Sequence, residues 1–160
     1  MRHTISVLVE NKFGVLARIS TLFAARGFNI DSLAVGETED SAISRMTIVV
    51  KGDDSVLEQV TKQLNKLVDV IKVNDFNGVE YVERGLALVK INAPKAVRAE
   101  IFKMAGIFRT RVVDIAQDSL TVEVTGGEDK IEAFIEAASS YGIKEVCRTG
   151  VVALSRGNKQ

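Results

Sequence analysis

Glu10-Asn11-Lys12-Phe13-Gly14-Val15-Leu16 and Gly27-Phe28-Asn29-Ile30-Asp31-Ser32-Leu33 frame one helix between two strands. The first segment leaves a strand through a glycine turn. The second exits the helix at Gly27, where a C-terminal cap needs a left-handed residue, and enters the next strand. Upstream, Thr4-Ile5-Ser6-Val7-Leu8-Val9-Glu10 is rich in β-branched side chains and reads as a strand. Between the segments, Leu16, Ile19, Leu22 and Phe23 share one helical face. Downstream come a strand over 29–37, a polar Glu39-Asp40-Ser41 turn and a strand over 43–51. Asp53 or Asp54 can cap a second helix whose core face is Leu57, Val60, Leu64 and Leu67. A strand over 69–76 completes a βαββαβ order.

The same order then recurs, with strand starts offset by roughly 80 residues. Leu86–Ile91 is a strand and Pro94 suits the first turn of a helix. The apolar face of that helix carries Val97, Ile101, Met104, Ala105 and Phe108. Strands at 111–116 and 120–124 flank an Asp118-Ser119 turn; Ile131, Phe134, Ile135 and Ala138 face inward from a fourth helix, and Ile143–Arg148 closes the unit. The predicted class is α+β, two ferredoxin-like βαββαβ domains at 1–76 and 84–160 joined by a linker at 77–83. Apolar residues occupy both faces of the strands, with Leu8 opposing Ile5, Val7 and Val9, and Val49 opposing Met46, Ile48 and Val50. That surplus predicts that the open face or the sheet edge is covered, and a homodimer joined edge to edge through the first domain.

Composition narrows the function. Lys+Arg and Asp+Glu number 21 each, so the net charge is zero. A nucleic-acid binder normally carries a basic excess, and the strands at 43–51 and 120–125 lack the aromatics on which an RNA-binding βαββαβ sheet stacks bases. The single Cys147 excludes an intrachain disulfide and fits a reducing, cytoplasmic setting. No apolar run approaches the ~20 residues that span a bilayer, and Met1-Arg2-His3-Thr4 leads directly into strand, so neither membrane span nor leader is expected.

A candidate site lies at the ends of the first helix. A helix start presents unpaired N–H groups and a positive dipole end. Gly14 permits close backbone approach, so the amides of Val15 and Leu16 can hold a carboxylate. Asn11 and Asn29 both donate and accept, so they can meet a carboxylate and an ammonium. Lys12, the one cation in the two segments, is a poor phosphate clamp. A zwitterion therefore fits better than a phosphate. On spacing alone, the reading of Asn11 and Gly14 as turn residues and Asn29 as a strand-entry residue is the favoured one.

Asn11-Lys12-Phe13-Gly14-Val15-Leu16 with Gly27-Phe28-Asn29-Ile30 resembles the ligand signature of ACT domains. Ser6–Asn11, Gly27–Val35, Ser44–Val50, Gln63–Val70 and Arg148–Gly157 together resemble the small regulatory subunit of acetolactate synthase (acetohydroxyacid synthase) over essentially the whole chain. The resemblance implies a non-catalytic subunit in branched-chain amino acid biosynthesis. Such a subunit activates a large catalytic subunit and confers feedback inhibition by valine. It implies no cofactor for this chain, since thiamine diphosphate, magnesium and FAD belong to the large subunit. It implies an effector site between two ACT domains, with Asn11, Gly14, Val15 and Leu16 of one protomer facing Asn29 and Ile30 of the other. Phe13 stands where many members carry Pro, and Gly85 where a charged residue is common.

Other residues suggest little chemistry. His3, the sole histidine, has no acid-base partner nearby in sequence, and Cys147 reads as a buried small residue. Arg45, mid-strand, has two readings: a sheet-edge or large-subunit contact, and a solvated outward residue. Asp53-Asp54 and Glu128-Asp129 read as helix N-terminal acids rather than metal ligands. The alternative function is a free-standing ACT amino-acid sensor in signalling or transcription.

Overall fold

The computed structural model describes residues 1–157. Its first six elements are β1 (Arg2–Glu10), α1 (Val15–Ala25), β2 (Ile30–Glu37), β3 (Ile43–Lys51), α2 (Asp54–Asn65) and β4 (Val70–Asp75). They form an antiparallel sheet in the order β2-β3-β1-β4. Strand alternation sends Ile5, Val7 and Val9 of β1 and Met46, Ile48 and Val50 of β3 to one face. There they pack against Val15, Ile19 and Phe23 of α1 and Leu57, Val60 and Leu64 of α2. A fully buried side chain of this kind contributes ~1.5–3 kcal/mol. Gly27 adopts φ +72°, as its place after α1 predicts. Asp53 caps α2 by accepting from the Val56 amide at 3.0 Å.

The second set is β5 (Tyr81–Asn92), α3 (Lys95–Ile107), β6 (Arg111–Ile115), β7 (Ser119–Gly126), α4 (Glu128–Ser139) and β8 (Ile143–Arg148). Its sheet runs β6-β7-β5-β8, the same topology. Ala87, Val89, Ile91, Leu120, Val122 and Val124 meet Ile101, Ala105, Ile131, Phe134 and Ala138 of the two helices. The α+β class with two βαββαβ repeats is therefore observed.

The ends of these repeats differ from the sequence reading. A further strand, β9 (Val152–Ser155), pairs with β5. Among the described residues, contacts divide the chain into Met1–Val82 together with residues 150–157, and Glu83–Thr149. The tail from Gly150 thus belongs with the first unit, whereas the sequence placed it in a domain running over 84–160. The stretch read as a linker at 77–83 is a turn followed by the first residues of β5. Within the first unit the tail crosses the sheet face opposite the helices. The Val151 amide donates to Ser32 Oγ at 3.2 Å, and Val151 and Ala153 are buried. Register places Ser32, Val49 and Thr4 side by side on that face, with Ala34, Thr47 and Ser6 in the next row. Ser6, Thr47 and Val49 are all buried, so the apolar surplus at Val49 has a cover.

Cys147 is exposed, not buried. It pairs with Leu88 and so lies on the helix-free face of the second sheet. An alternating pattern identifies two faces but does not say which one a neighbour covers.

Candidate functional site

The α1 helix begins without help from its own side chains. Gly14 at the N-cap has φ +82°, makes no side-chain cap, and no acidic residue lies in the first turn. By contrast, α2 has Asp53 and Asp54 at its start, and α4 has Glu128 and Asp129. The positive end of α1 is thus left without a carboxylate of its own element. The Val15 side chain belongs to the core, leaving only its backbone to a ligand, whereas Leu16 is exposed.

The surroundings of this helix start are pinned. The Asn11 amide donates to Ala42 O at 2.8 Å. Its side-chain Nδ2 donates to Glu37 Oε1 at 3.1 Å and to Ser41 O at 2.9 Å. Both amide hydrogens are therefore engaged, and the Oδ1 of Asn11 remains to accept from an ammonium. Arg18, one turn into α1, donates from Nε to Asp69 Oδ2 at 2.8 Å, and Asp69 is buried. Lys12 lies 2.8 Å from Glu10 Oε2, and that hydrogen bond and charge raise its pKa above 10.5. Being paired with Glu10 at the end of β1, it is no free anion clamp.

The other half of the predicted site lies past the far end of the helix. Asn29 is exposed and donates from Nδ2 to Asp31 Oδ1 at 3.1 Å. Ile30 opens β2 and leans on the core. The 11 residues of α1 separate the two halves, a rise of about 16 Å. One protomer therefore does not bring Asn11, Gly14, Val15 and Leu16 together with Asn29 and Ile30. Sequence reasoning missed Glu37, Ser41 and Asp31, which hold the two asparagines. Their role depends on the β2–β3 hairpin register, for which the sequence carries no local signal.

Of the other candidates, His3 is tied to the backbone: it is buried with Nε2 3.0 Å from Gly52 O. Among the described residues no group of three His, Cys, Asp or Glu could hold a metal, and no helix is long and apolar enough to cross a membrane.

Comparison with known proteins decides the family. Residues 5–72 match the profile of the small subunit-like ACT domain of acetohydroxyacid synthase, and residues 84–157 match that of the small subunit of acetolactate synthase. The chain is 58% identical over 160 residues to a probable acetolactate synthase small subunit of Archaeoglobus fulgidus, covering 100% of both. The chain belongs to the acetolactate synthase small-subunit family. An acetolactate synthase small subunit of Mycolicibacterium smegmatis is 54% identical, over 97% of this chain and 91% of that one. The crystal structure of the acetolactate synthase small subunit from Thermotoga maritima superposes with a TM-score of 0.88 at 42% identity, covering 99% of each chain. Membership of a small-subunit family implies a large catalytic subunit as partner. The first sheet with α1 and α2 is the ACT domain of this small subunit.

Proposed function

We propose that this small subunit is non-catalytic, raises the activity of its large subunit, and confers feedback inhibition by valine through a site shared by two ACT domains. The observation that carries the reading is the 3.1 Å hydrogen bond from Asn11 to Glu37. It ties the start of α1 to the end of β2, and β2 is an edge strand with Val35 exposed. When two copies of an edge strand pair antiparallel about a two-fold axis, the start of one meets the end of the other. Asn29 and Ile30 of one protomer then come beside Glu37 of its partner copy, and with it Asn11 and Gly14. The two half-sites, separated by a helix length within one chain, join across the dimer.

In that site the α1 start takes the effector carboxylate, through the amides of Val15 and Leu16. Asn11 Oδ1 accepts from the ammonium, and Asn29, with one N–H and its carbonyl left over, bridges both charges. Ile30 and Leu16 supply the apolar surface for a branched side chain. Selectivity among valine, leucine and isoleucine is modest, since one methylene is worth ~1–3 kcal/mol. Inhibition requires that the effector bind the inhibited assembly more tightly than the active one, with a coupling of typically ~1–3 kcal/mol.

Calorimetric titration of valine into the purified chain, with and without its large subunit, tests this. Saturable binding and a raised melting temperature are expected. Gly14→Asp introduces a carboxylate at the helix start, a type of residue that tolerates positive φ. An added Cβ would lie 3.4 Å from Arg18 Nη1 and the residue is strained at φ +82°, so circular dichroism must first show the variant folded; its carboxylate then opposes the effector carboxylate at the helix start. Binding and inhibition should vanish together in Gly14→Asp and Asn29→His. Valine inhibition retained by the Gly14→Asp holoenzyme would refute the pocket.

A further inference from the structure

The arginines and lysines of the first unit mostly have visible partners. Arg18 is paired with Asp69, Arg26 donates to Gln63, Lys12 meets Glu10, and Lys51 meets Asp31. Arg45 and Lys72 are exceptions. Arg45 sits half-buried in the central strand β3 and donates from one guanidinium nitrogen to the neutral hydroxyl of Ser6 at 2.7 Å. Among the described residues, no carboxylate pairs with Arg45 or Lys72.

Strand register brings the two cations together. Leu8 is opposite Arg45 on one side and opposite Lys72 on the other, so all three lie in one row of the helix-free face. Adjacent strands are ~4.8 Å apart, so the two stems flank Leu8 with a gap for one small group. Asn74, in the next row opposite Ser6, and Phe76 beyond it face the same way. The tail closes the side with Leu154 and Ser155, leaving a cavity of about 410 Å³. Asp75 also borders it, but strand alternation turns its side chain to the other face, where its carboxylate accepts from the Asn77 amide at 2.8 Å. The cavity thus carries two unneutralised positive charges, an amide, a hydroxyl and an apolar wall.

A guanidinium with most of its N–H fork free matches a planar or tetrahedral oxyanion in two-point fashion. Two cations match a dianion better than a monoanion. The volume falls in the range of small-metabolite pockets, and Phe76 with Leu154 suits an apolar body. We propose that this cavity is a second ligand site, separate from the helix-end half-sites, for a small organic phosphate. Arg45 and Lys72 hold the phosphate oxygens, Asn74 and Ser155 donate to them, and the apolar wall receives the organic part. Because Leu154 and Ser155 belong to the tail, the site is complete only when the tail lies on the sheet.

The test is calorimetry on the full chain with phenyl phosphate as probe, at ionic strength held constant with sodium chloride, and with inorganic phosphate and benzoate as comparisons. Saturable binding at one per chain is expected, with both comparison ligands weaker. Arg45→Gln keeps a donor for Ser6, and Lys72→Gln alters an exposed side chain; each should weaken binding at least about tenfold, the loss of one charged hydrogen bond. Asn29→His should leave phenyl phosphate binding unchanged, which separates this site from the valine site. Absence of saturable binding, or equal binding by the Gln variants, overturns the proposal. So does failure of phenyl phosphate to bind while the same two variants lose the large subunit in a pull-down, since the cations would then serve a protein contact.

Discussion

The two sheets share a topology and differ on the face that carries no helices. In the first, Thr4, Ser6, Thr47 and Val49 are buried there, and the Gly150–Ser155 tail runs across them. In the second, the corresponding face shows Leu88, Glu145 and Cys147 to solvent, with Lys90 paired to Glu145 at 2.7 Å. Small hydroxyl and β-branched side chains leave room for a segment to lie flat on the strands. Long charged ones keep such a segment away and remain hydrated. One topology therefore specifies two different surfaces, and side-chain size and charge, not strand order, select between them.

Placing the same charge on each face should produce the largest contrast. Val49 is 1% exposed and pairs with Thr4, whereas Leu88 is 39% exposed and pairs with Glu123. Val49→Lys buries an uncompensated cation and should cost about 3–5 kcal/mol. Leu88→Lys gains a cross-strand carboxylate and should stay within about 0.5 kcal/mol of the parent. Urea denaturation of both variants measures the difference. Equal losses would mean that the two faces are alike in solution.

A smaller effect is expected where the tail meets β2. A Cβ at Gly150 would lie 2.5 Å from Leu33 O and 2.6 Å from Leu33 C, both backbone atoms that cannot rotate away. Gly150→Ala should destabilise by about 1–3 kcal/mol, as overpacking does. Gly106→Ala, inside α3, where an added Cβ meets nothing within 4 Å, is the control and should be neutral to stabilising. If Gly150→Ala is equally neutral, the tail does not rest on the peptide between Leu33 and Ala34.

Which parts of this contrast are legible in the sequence follows from the range of the forces involved. The helix face of Ile19, Leu22 and Phe23, the Gly27 cap and the Asp53 cap are local, and each is found where periodicity and capping preference put it; Leu16, read onto the same face, is exposed, and Val15 takes its place in the core. The residue types of the helix-end candidates were equally visible, because Gly14 must adopt φ +82° and Asn11 and Asn29 bracket α1. The Glu37 and Ser41 contacts to Asn11 were not visible, since they cross 26 and 30 residues and depend on hairpin register. The four residues of β9 carry too little periodicity to announce a strand. Ser32, to which the tail is bonded, is 119 residues from Val151. Cys147 failed for a related reason: alternation in Val146 and Cys147 shows two faces and leaves open which one is covered.

The smallest expected effect concerns the Lys90–Glu145 pair, and it discriminates by shape rather than size. The hydrogen bond and charge of Lys90 hold the Glu145 carboxyl below its ordinary 4.5. Glu145, with a further contribution from Asp114, holds Lys90 above 10.5. In acid the unfolded chain binds a proton at Glu145 before the folded one does, so the stabilisation is complete above 4.5 and disappears as pH falls through the lower folded value. At the basic end it is complete below 10.5 and disappears as pH rises through the folded Lys90 value. Both limbs belong to a single interaction and count once. Because the pair is exposed, salt screens it. Lys90→Gln should therefore leave the denaturation midpoint near neutral pH almost unmoved while flattening the acid limb, and 1 M sodium chloride should do the same to the parent. Arg45 on the first sheet donates to a Ser6 hydroxyl, which has no acid limb, so Arg45→Gln should leave that limb intact. A Lys90→Gln loss at neutral pH as large as that of Gly150→Ala would show the second face to be packed rather than hydrated.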